Sequence, residues 1–261
     1  MPKGGVMQVK EKHTVFKIPN TFKSNVAFPF CPGCDHGVAI RLVAELLEEF
    51  NVKEKALAVA SSGCSVMLYN WIDTDCVEAP HGRGMAVATG AKRTNPDKFV
   101  FTYQGDGDFA SIGLAESLHA ALRGEKVTAI CINNTTYGMT GGQGGPTTIL
   151  GQITTTSPMG RNAENYGYPI KIAEQIALCD GTAFSARGTL DTVANIQKTK
   201  ELIRKAFESQ TKGLGFGFVE IVSTCPTNWH MTPQQSHERV RNELIHVYKP
   251  GIYKEVKELS E

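Results

Sequence analysis

Residues 105–134, which read GDGDFASIGLAESLHAALRGEKVTAICINN, decide the fold class of this chain. Residues 98–103, KFVFTY, come just before them and are rich in β-branched and aromatic residues, as a buried strand would be. The helical pattern after the glycines has an apolar stripe, made of Ile112, Ala115, Leu118 and Leu122. A second apolar run, residues 127–132, ends at two asparagines. This order predicts a βαβ unit with a right-handed crossover and parallel strands.

The two ends of this unit carry residues that suit an anion and a metal ion. Gly105 and Gly107 allow backbone N–H groups beside a helix N-terminus to approach a phosphate closely. Asp106 adds a carboxylate at the same point, and a carboxylate beside a diphosphate requires a cation between the two anions. Asn134, at the end of the next strand, supplies an amide oxygen, and such an oxygen-rich set suits Mg²⁺. An ordinary turn that begins a helix with an acid is the alternative.

The Gly-Asp-Gly and Asn-Asn pair resembles the thiamine diphosphate motif, whereas no G-x-G-x-x-G dinucleotide fingerprint follows the strand. The resemblance implies that Mg²⁺ is bound by Asp106, by the side chain of Asn134 and by the main-chain carbonyl of Thr136. It also implies that the cofactor's diphosphate lies on this metal ion.

Length and composition limit the other possibilities. The chain has 261 residues, of which 41% are hydrophobic, and this allows one large α/β domain. A net charge of +1 gives no indication of nucleic-acid binding. No apolar run approaches the ~20 residues that span a bilayer. The basic start, with Lys3, Lys10 and Lys12, lacks the apolar segment of a signal peptide. A cytoplasmic location without a membrane partner is therefore predicted.

Four cysteines are predicted to meet at one edge of the sheet. Cys31 and Cys34 form a Cys-x-x-Cys turn, Cys64 follows an apolar strand at residues 56–60, and Cys225 follows another at residues 216–222. The carboxyl ends of strands form the ligand-binding edge of open α/β sheets. Four thiolates suit either Zn²⁺ or a [4Fe–4S] cluster, and their spacing does not decide between the two. Thioredoxin-like chemistry is a competing interpretation, but no strand precedes this Cys-x-x-Cys.

The helix after the Cys-x-x-Cys turn has its own signals. Asp35 is predicted to cap it, and His36 to form local hydrogen bonds rather than bind a metal. Its apolar stripe consists of Ile40, Val43, Leu47 and Phe50. The other cysteines show no partner pattern, and one of them, Cys131, lies inside an apolar strand.

The motifs CPGC, GCS, GDG with NN, NNTTYGMTGGQ and TCPTNW occur in this order between residues 28 and 230. Together they resemble the β subunits of 2-oxoacid:ferredoxin oxidoreductases. The resemblance implies a doubly wound, mostly parallel α/β fold and a [4Fe–4S] cluster on Cys31, Cys34, Cys64 and Cys225, close to thiamine diphosphate. It divides the chain into an N-terminal arm (1–27), a cofactor-binding domain (28–230) and a C-terminal helical tail (231–261).

The same resemblance assigns further residues to the cofactor. His-Gly-Arg lies near it in the family, and the loop after Asn134 wraps the diphosphate and faces the substrate. This loop is not a P-loop, because no Gly-Lys-Ser/Thr follows its glycines. The predicted cofactor-binding residues are Gly63, Cys64, Ser65, His81, Arg83, Gly105, Asp106, Gly107, Asp108, Asn134, Tyr137, Gly138, Met139 and Thr140.

The function that the resemblance implies is oxidative decarboxylation of a 2-oxoacid, with formation of an acyl-CoA and reduction of ferredoxin. The activating glutamate is expected on a pyrimidine-domain alpha subunit, and no proton-transfer residue is assigned in this chain. A gamma subunit and a ferredoxin-like delta subunit are the other expected partners, since no ferredoxin-type cysteine run is present. The alternative function is a non-catalytic diphosphate-binding module with a structural four-cysteine zinc site.

Two segments predict the substrate. Residues 63–68 and 137–143 are expected to face it, and neither contains Lys or Arg. Some relatives in the family carry lysine where Met67 and Gly141 stand here. A dicarboxylic acid needs a partner for its second charge, whereas Met67 and Met139 offer a flexible apolar surface. We therefore favour 2-oxoisovalerate, with 2-oxoglutarate second.

Overall fold

The computed structural model describes residues 17–23 and 25–260, and seven strands within them form one sheet. In chain order, the strands are β1 (Ala56–Ser61), β2 (Asp75–Ala79), β3 (Phe99–Gly105), β4 (Thr128–Asn133), β5 (Thr136–Tyr137), β6 (Gln143–Gly144), β7 (Thr182–Thr189), β8 (Phe216–Val222) and β9 (Gly251–Glu255). β5 and β6 form a separate antiparallel hairpin, and the other strands lie in the order β2-β1-β3-β4-β8-β7-β9. Neighbouring strands of the large sheet are parallel, except that β9 is antiparallel to β7.

Helices connect most of these strands. They are α1 (His36–Glu49), α2 (Leu68–Trp71), α3 (Gly84–Thr94), α4 (Leu114–Leu122), α5 (Ala163–Tyr166), α6 (Ile172–Ala177), α7 (Val193–Thr211), α8 (Pro226–Trp229), α9 (Pro233–Arg239) and α10 (Ile245–Val247). Shorter helical turns lie at Lys53–Lys55, Cys64–Met67, Asp108–Ile112, Val240–Leu244 and Lys257–Leu259. Two of them, Asp108–Ile112 and Val240–Leu244, are π-helical. No helix in the described part of the chain is long and apolar enough to cross a lipid bilayer.

Both faces of the sheet are covered by helices. Successive residues of a strand point to opposite faces. On one face, Ala58 and Phe101 belong to a core that includes residues of α1 and α7, among them most of the predicted stripe of α1. On the other face, Val59 and Val100 belong to a core with residues of α3, α4 and α6. The predicted doubly wound, mostly parallel α/β fold is confirmed.

The predicted βαβ unit is present as β3, α4 and β4. Phe101 lies opposite Thr128, and Gly105 lies opposite Ile132, in a parallel register. The helical backbone starts at Asp106, directly after β3, and includes one π-helical turn before α4. Such turns inside helices are frequent at functional sites.

The predicted apolar stripe of α4 is wrong. Ile112 and Leu122, its two ends, are 50% and 56% exposed. The buried side of this helix instead carries small residues, including Ser117, Ala120 and Ala121. Small side chains let a helix lie close to a sheet, and Ile112 and Leu122 are left at the surface while Leu118 is only partly buried.

The two ends of the chain differ in part from the prediction. The tail begins with α9, which starts with a capping box between Thr232 and Gln235. It is not wholly helical, however, because β9 adds an antiparallel edge strand to β7.

Of the predicted N-terminal arm, residues 1–16 and residue 24 lie outside the described residues. Phe22 packs against Trp71, with ring centroids 5.0 Å apart.

Residues 147–168 form an irregular segment apart from α5, and Arg161 within it is only 8% exposed. Its guanidinium donates to the carbonyls of Gly145 and Thr148, both at 2.8 Å, and to that of Tyr166 at 2.9 Å. These bonds satisfy backbone acceptors that have no partner strand.

Candidate functional site

The predicted site residues meet at one edge of the sheet. β1, β3, β4 and β8 are consecutive neighbours and run parallel, so their carboxyl ends lie side by side. Cys64 follows β1, Asp106 follows β3, Asn134 follows β4 and Cys225 follows β8. This is the edge at which open α/β sheets bind ligands.

A cavity of about 260 Å³ opens at this edge, and we call it the Asp106 cavity. All the predicted cofactor-binding residues except Arg83 line it. Thr136, the predicted source of a carbonyl ligand, also lines it, together with His36, Ser62 and Ile132.

Asp106 is a buried carboxylate in the wall of this cavity. It is 3% exposed, and its carboxylate accepts a hydrogen bond from the hydroxyl of Thr147. Burial raises the pKa of Asp106 to about 7, because desolvation disfavours the charged form. A cation bound beside this side chain would favour the carboxylate.

Asn134 and Thr136 lie on either side of a strained residue. The Asn134 Oδ1 accepts the backbone N–H of Thr136 at 3.2 Å. Between them, Thr135 has a φ of 60°, which is unusual for a β-branched residue. The carbonyl of Thr135 accepts the hydroxyl of Thr148 at 2.6 Å and the Gln152 amide at 3.2 Å. The loop thus holds a costly backbone conformation, as functional sites often do.

Position 107 needs a glycine because the ring of Tyr137 lies very close to it. A β-carbon at this position would lie 2.1 Å from the ring of Tyr137, which belongs to the loop after Asn134. Any side chain here would therefore push this loop away from the end of β3. Gly107, the second glycine of Gly-Asp-Gly, thus lets the loop after Asn134 pack against the end of β3.

Asp108 is a hydrogen-bond acceptor that organises its neighbours. It is buried, and its carboxylate accepts from Ser61 Oγ at 2.9 Å, from the Gly82 N–H at 2.6 Å and from the side chain of Gln104. It also bonds His81 Nδ1 at 2.7 Å. The role of Asp108 in this geometry is to orient His81 at the cavity wall.

Arg83 does not lie where the prediction expected it. It is outside the wall of the Asp106 cavity and forms an ion pair with Glu116 at 2.7 Å. Its guanidinium also donates to the carbonyls of Gly82 and Ile112. These contacts tie the loop before α3 to the start of α4, so Arg83 supports the site from outside.

The four predicted cysteines line a second, smaller cavity of about 90 Å³, which we call the cysteine cavity. It shares wall residues with the Asp106 cavity, namely His36, Cys64, Asn134, Gly138 and Met139. A β-carbon on Gly138 would lie 3.4 Å from the Cys225 sulfur and 3.5 Å from the Cys64 sulfur. Gly138 is thus one of the residues in the wall that the two cavities share.

The thiols in this cavity influence one another. Burial raises the pKa of Cys34 to about 12, and nearby negative charges, including those of neighbouring thiolates, add to the effect. Burial and neighbouring thiolates likewise raise the pKa of Cys64 to about 11. All the cysteines are free thiols. Among residues 17–23 and 25–260, no three His, Cys, Asp or Glu side chains come together closely enough to hold a single metal ion. The four thiols surround a space rather than converge on a point.

Asp35 precedes α1, as predicted, but its side chain does not cap that helix. Its carboxylate instead accepts the backbone N–H of Thr224 at 3.0 Å and bonds His237 Nε2 at 3.0 Å. The hydroxyl of Thr224 donates to the carbonyl of Gly33 at 2.6 Å. These bonds join the Cys-x-x-Cys turn to the segment that carries Cys225.

His36 forms a hydrogen bond, as expected, but its partner is not local, since it lies 67 positions further along the chain. Its Nδ1 lies 2.8 Å from the hydroxyl of Tyr103, and its ring stacks on Phe30. Burial lowers the pKa of His36 to about 4, so the imidazole is neutral at pH 7. Its position between the two cavities was not predicted.

Comparisons with known proteins agree with this geometry. Residues 61–221 match the family described as thiamine pyrophosphate enzyme, C-terminal TPP binding domain. A 2-oxoglutarate synthase subunit KorB from Methanocaldococcus jannaschii is 38% identical over 84% of this chain and 79% of its own length. The chain belongs to the thiamine diphosphate-binding subunits of the 2-oxoacid:ferredoxin oxidoreductase family. A ketoisovalerate oxidoreductase subunit VorA from Methanothermobacter thermautotrophicus is 40% identical over 82% of this chain.

A solved structure is similar over nearly the whole chain. It is the 2-oxoglutarate:ferredoxin oxidoreductase from Magnetococcus marinus with 2-oxoglutarate, coenzyme A and succinyl-CoA bound. It has a TM-score of 0.76 and 26% identity, over 95% of this chain and 87% of its own. By contrast, this chain spans only 45% of the length of the VorA relative.

The residues present fit the groups that this 2-oxoacid oxidoreductase family implies. For thiamine diphosphate with Mg²⁺, the fit rests on a buried carboxylate, an amide oxygen and a nearby carbonyl at the cavity wall, which are hard oxygen donors. For an iron–sulfur cluster, it rests on four free thiols that line one cavity.

Sequence reasoning missed several residues that shape the site. Thr147 contacts Asp106 from a loop without periodicity, and His36 lines both cavities. Asn228 donates to the sulfur of Cys225. Of these residues, only Asn228 could have been found from the sequence, because it lies three residues after Cys225, which stands at the start of a helix.

Proposed function

We propose that this chain is the β subunit of a 2-oxoacid:ferredoxin oxidoreductase. With its partners, it would decarboxylate a 2-oxoacid oxidatively, form an acyl-CoA and pass the electrons to ferredoxin. One observation carries the proposal: the Asp106 cavity and the cysteine cavity share a wall at the carboxyl edge of the sheet. A reaction that needs both an electron sink and an electron acceptor requires two such neighbouring sites.

In this proposal, Asp106, the Asn134 side chain and the Thr136 carbonyl would hold Mg²⁺, and the metal would neutralise the diphosphate. When bound, thiamine diphosphate would supply the nucleophile and the electron sink for decarboxylation of the 2-oxoacid. The protein orients it: Gly105 and Gly107 let backbone approach the diphosphate, and the loop carrying Tyr137 closes over the end of β3.

Cys31, Cys34, Cys64 and Cys225 would hold a [4Fe–4S] cluster. The open arrangement of the four sulfurs supports a cluster over a single zinc ion, because one tetrahedral ion needs all its thiolates within about 2.3 Å of its centre. Cys225 is buried and Phe30 and Met67 line the same cavity, whereas Cys31 is exposed, so one side of the proposed cluster would face solvent.

The catalytic machinery would be shared with other chains. We assign no proton-transfer residue here, and we propose that a pyrimidine-domain alpha subunit supplies the activating glutamate. A gamma subunit and a ferredoxin-like delta subunit are the further proposed partners. The isolated chain should therefore be inactive. Turnover by the pure chain with a 2-oxoacid, CoA and an artificial electron acceptor would refute this arrangement.

We further propose residues 28–230 as the cofactor-binding domain of a cytoplasmic subunit. The matched family region lies inside these limits. The bond between His237 and Asp35 crosses the C-terminal limit, so the tail is expected to fold with this domain.

For the substrate, we favour 2-oxoisovalerate over 2-oxoglutarate. In the described part of the chain, neither cavity is lined by Lys or Arg, and the imidazole of His36 is neutral. Met139 lines both cavities and Met67 lines one, so the walls offer apolar surface to a branched side chain. The second carboxylate of 2-oxoglutarate would have no lysine or arginine partner in these walls.

The test is kcat/KM of the whole complex for both acids under identical conditions. An unpaired charge costs more than ~1.4 kcal/mol, so we expect a preference of about tenfold or more for 2-oxoisovalerate. The opposite preference, by the same margin, would show that a partner chain supplies a cation and that these walls do not set the specificity.

The non-catalytic alternative, a diphosphate-binding module with structural zinc, is tested on anaerobically purified protein. A brown sample with about four irons per chain supports the oxidoreductase, whereas a colourless, zinc-loaded sample supports the module.

A further inference from the structure

Asn228, which the family assignment leaves without a role, bridges the cysteine cavity and the loop that follows Asn134. It lies in α8, three residues after Cys225, and is half-buried. Its Nδ2 donates to the Cys225 sulfur at 3.2 Å and to the Gly138 carbonyl at 2.9 Å. An amide nitrogen carries two hydrogens, and both of these partners are acceptors, so one group can satisfy both.

The surroundings hold the amide in this orientation. Gly142 has a φ of 82°, and a β-carbon on it would lie 3.0 Å from the Asn228 Oδ1 and 3.2 Å from its Cβ. The backbone of the loop therefore packs directly on the Asn228 side chain. At the other end, the N–H of Trp229 donates to the Cys225 carbonyl at 2.9 Å, which fixes the turn that presents the amide.

We propose that Asn228 is a positioning residue that raises the reduction potential of the cluster held by this chain. The inference rests on the proposed function, since it requires Cys225 to ligate a [4Fe–4S] cluster. A hydrogen bond to a thiolate withdraws electron density from the sulfur and stabilises the cluster more strongly after it gains an electron. The second bond, to Gly138, couples this donor to the wall of the Asp106 cavity.

The experiment uses the assembled complex, purified anaerobically, with the substitution Asn228→Leu. The midpoint potential is measured by an EPR-monitored redox titration, and iron analysis gives the cluster content. The signal that disappears in Cys64→Ser identifies the cluster of this chain. We expect unchanged iron and about a tenfold loss in the equilibrium constant for reduction, which is a potential about 59 mV lower for a one-electron couple.

Two further variants keep the test decisive. Asn228→Asp retains the size of the side chain, removes both N–H donors and adds negative charge, so it should lower the potential at least as far. If Asn228→Leu loses iron, the midpoint potential of Asn228→Asp is measured instead. Gln234→Leu removes an exposed amide of α9 that contacts Glu238, and it should leave the potential unchanged.

An unchanged potential in an iron-loaded Asn228 variant would overturn the positioning role. A parent complex that lacks this cluster altogether would instead overturn the proposed function. The two failures are therefore distinguishable.

Discussion

Asn133 donates its side-chain amide to the carboxylate of Glu220 at 2.6 Å, across the boundary between β4 and β8. The Asn133 Oδ1 accepts the backbone N–H of Thr135 at 3.1 Å. The other carboxylate oxygen of Glu220 accepts from Arg187 at 2.8 Å, and both charged groups are fully buried. A buried ion pair in the sheet therefore sets the position of the loop that presents Asn134.

We predict that Glu220→Gln destabilises the chain by about 3 kcal/mol, because removal of one partner leaves the Arg187 charge buried and incompletely paired. Chemical denaturation measures this difference. Glu174→Gln removes the partly exposed carboxylate that also contacts Arg187, and a smaller loss is expected there. Equal losses in the two variants would contradict the central role of Glu220.

Asp106→Ala should lose bound thiamine diphosphate while it keeps its fold. Without this carboxylate, the diphosphate has no bridging cation, whereas the side chain makes few other contacts. Cofactor content and circular dichroism are the measurements. Asp97→Ala, an exposed acid before β3, is the control and should retain the cofactor. Stoichiometric thiamine diphosphate in the Asp106 variant would refute the metal assignment.

Cys64→Ser should lose most of the iron of the anaerobically purified protein. Cys76→Ser, which changes a half-buried thiol on β2, and Cys131→Ser, which changes a thiol inside β4, should retain it. Iron analysis of the three variants separates ligation from general destabilisation. If all three lost iron equally, loss of stability rather than of a ligand would explain the effect.

Asp35→Ala should weaken the link between the Cys-x-x-Cys turn and residue 224, and we expect a loss of about 2 kcal/mol, since bonds to a charged group contribute roughly this much. Asp73→Ala removes only an exposed pair with Lys53 and should cost less than about 1 kcal/mol. Denaturation midpoints of the two variants give the comparison. Equal effects would contradict the proposed link.

Asp35→Ala should also change the pH dependence of the free energy of unfolding. The hydrogen bond that His237 makes to the Asp35 carboxylate raises the pKa of His237 above its usual 6.5. The stability that this bond contributes is therefore complete below pH 6.5 and is lost as the pH rises through the raised pKa. In Asp35→Ala that decrease should disappear, which unfolding measured across this range would show.

The strands that build the site could be predicted from the sequence because they are buried in a parallel sheet. Such strands are nearly continuous apolar runs, as in β3, β4 and β8, and polar motifs follow their ends directly. β2 and β9 were missed for the opposite reason. They are edge strands with a mixed, partly exposed composition, DCVEA and GIYKE, and no apolar run indicates them.

The contacts that complete the site could not be predicted from local patterns. The bond from Thr224 to Asp35 joins residues 189 positions apart. Arg161 satisfies carbonyls of a loop that has no periodicity, and only the folded chain shows which carbonyls these are. The face of α4 was mispredicted because its small residues, not its large apolar ones, pack on the sheet.

Gly138 lies in the wall that the two cavities share, and this has a consequence for the proposed electron path. A β-carbon on Gly138 would make ordinary van der Waals contacts with the Cys225 and Cys64 sulfurs, at 3.4 and 3.5 Å. The loop could therefore carry a methyl group here without moving away from either thiol. In the proposed enzyme, the packing of the loop backbone, and not the absence of a side chain, would set the distance that electrons cross.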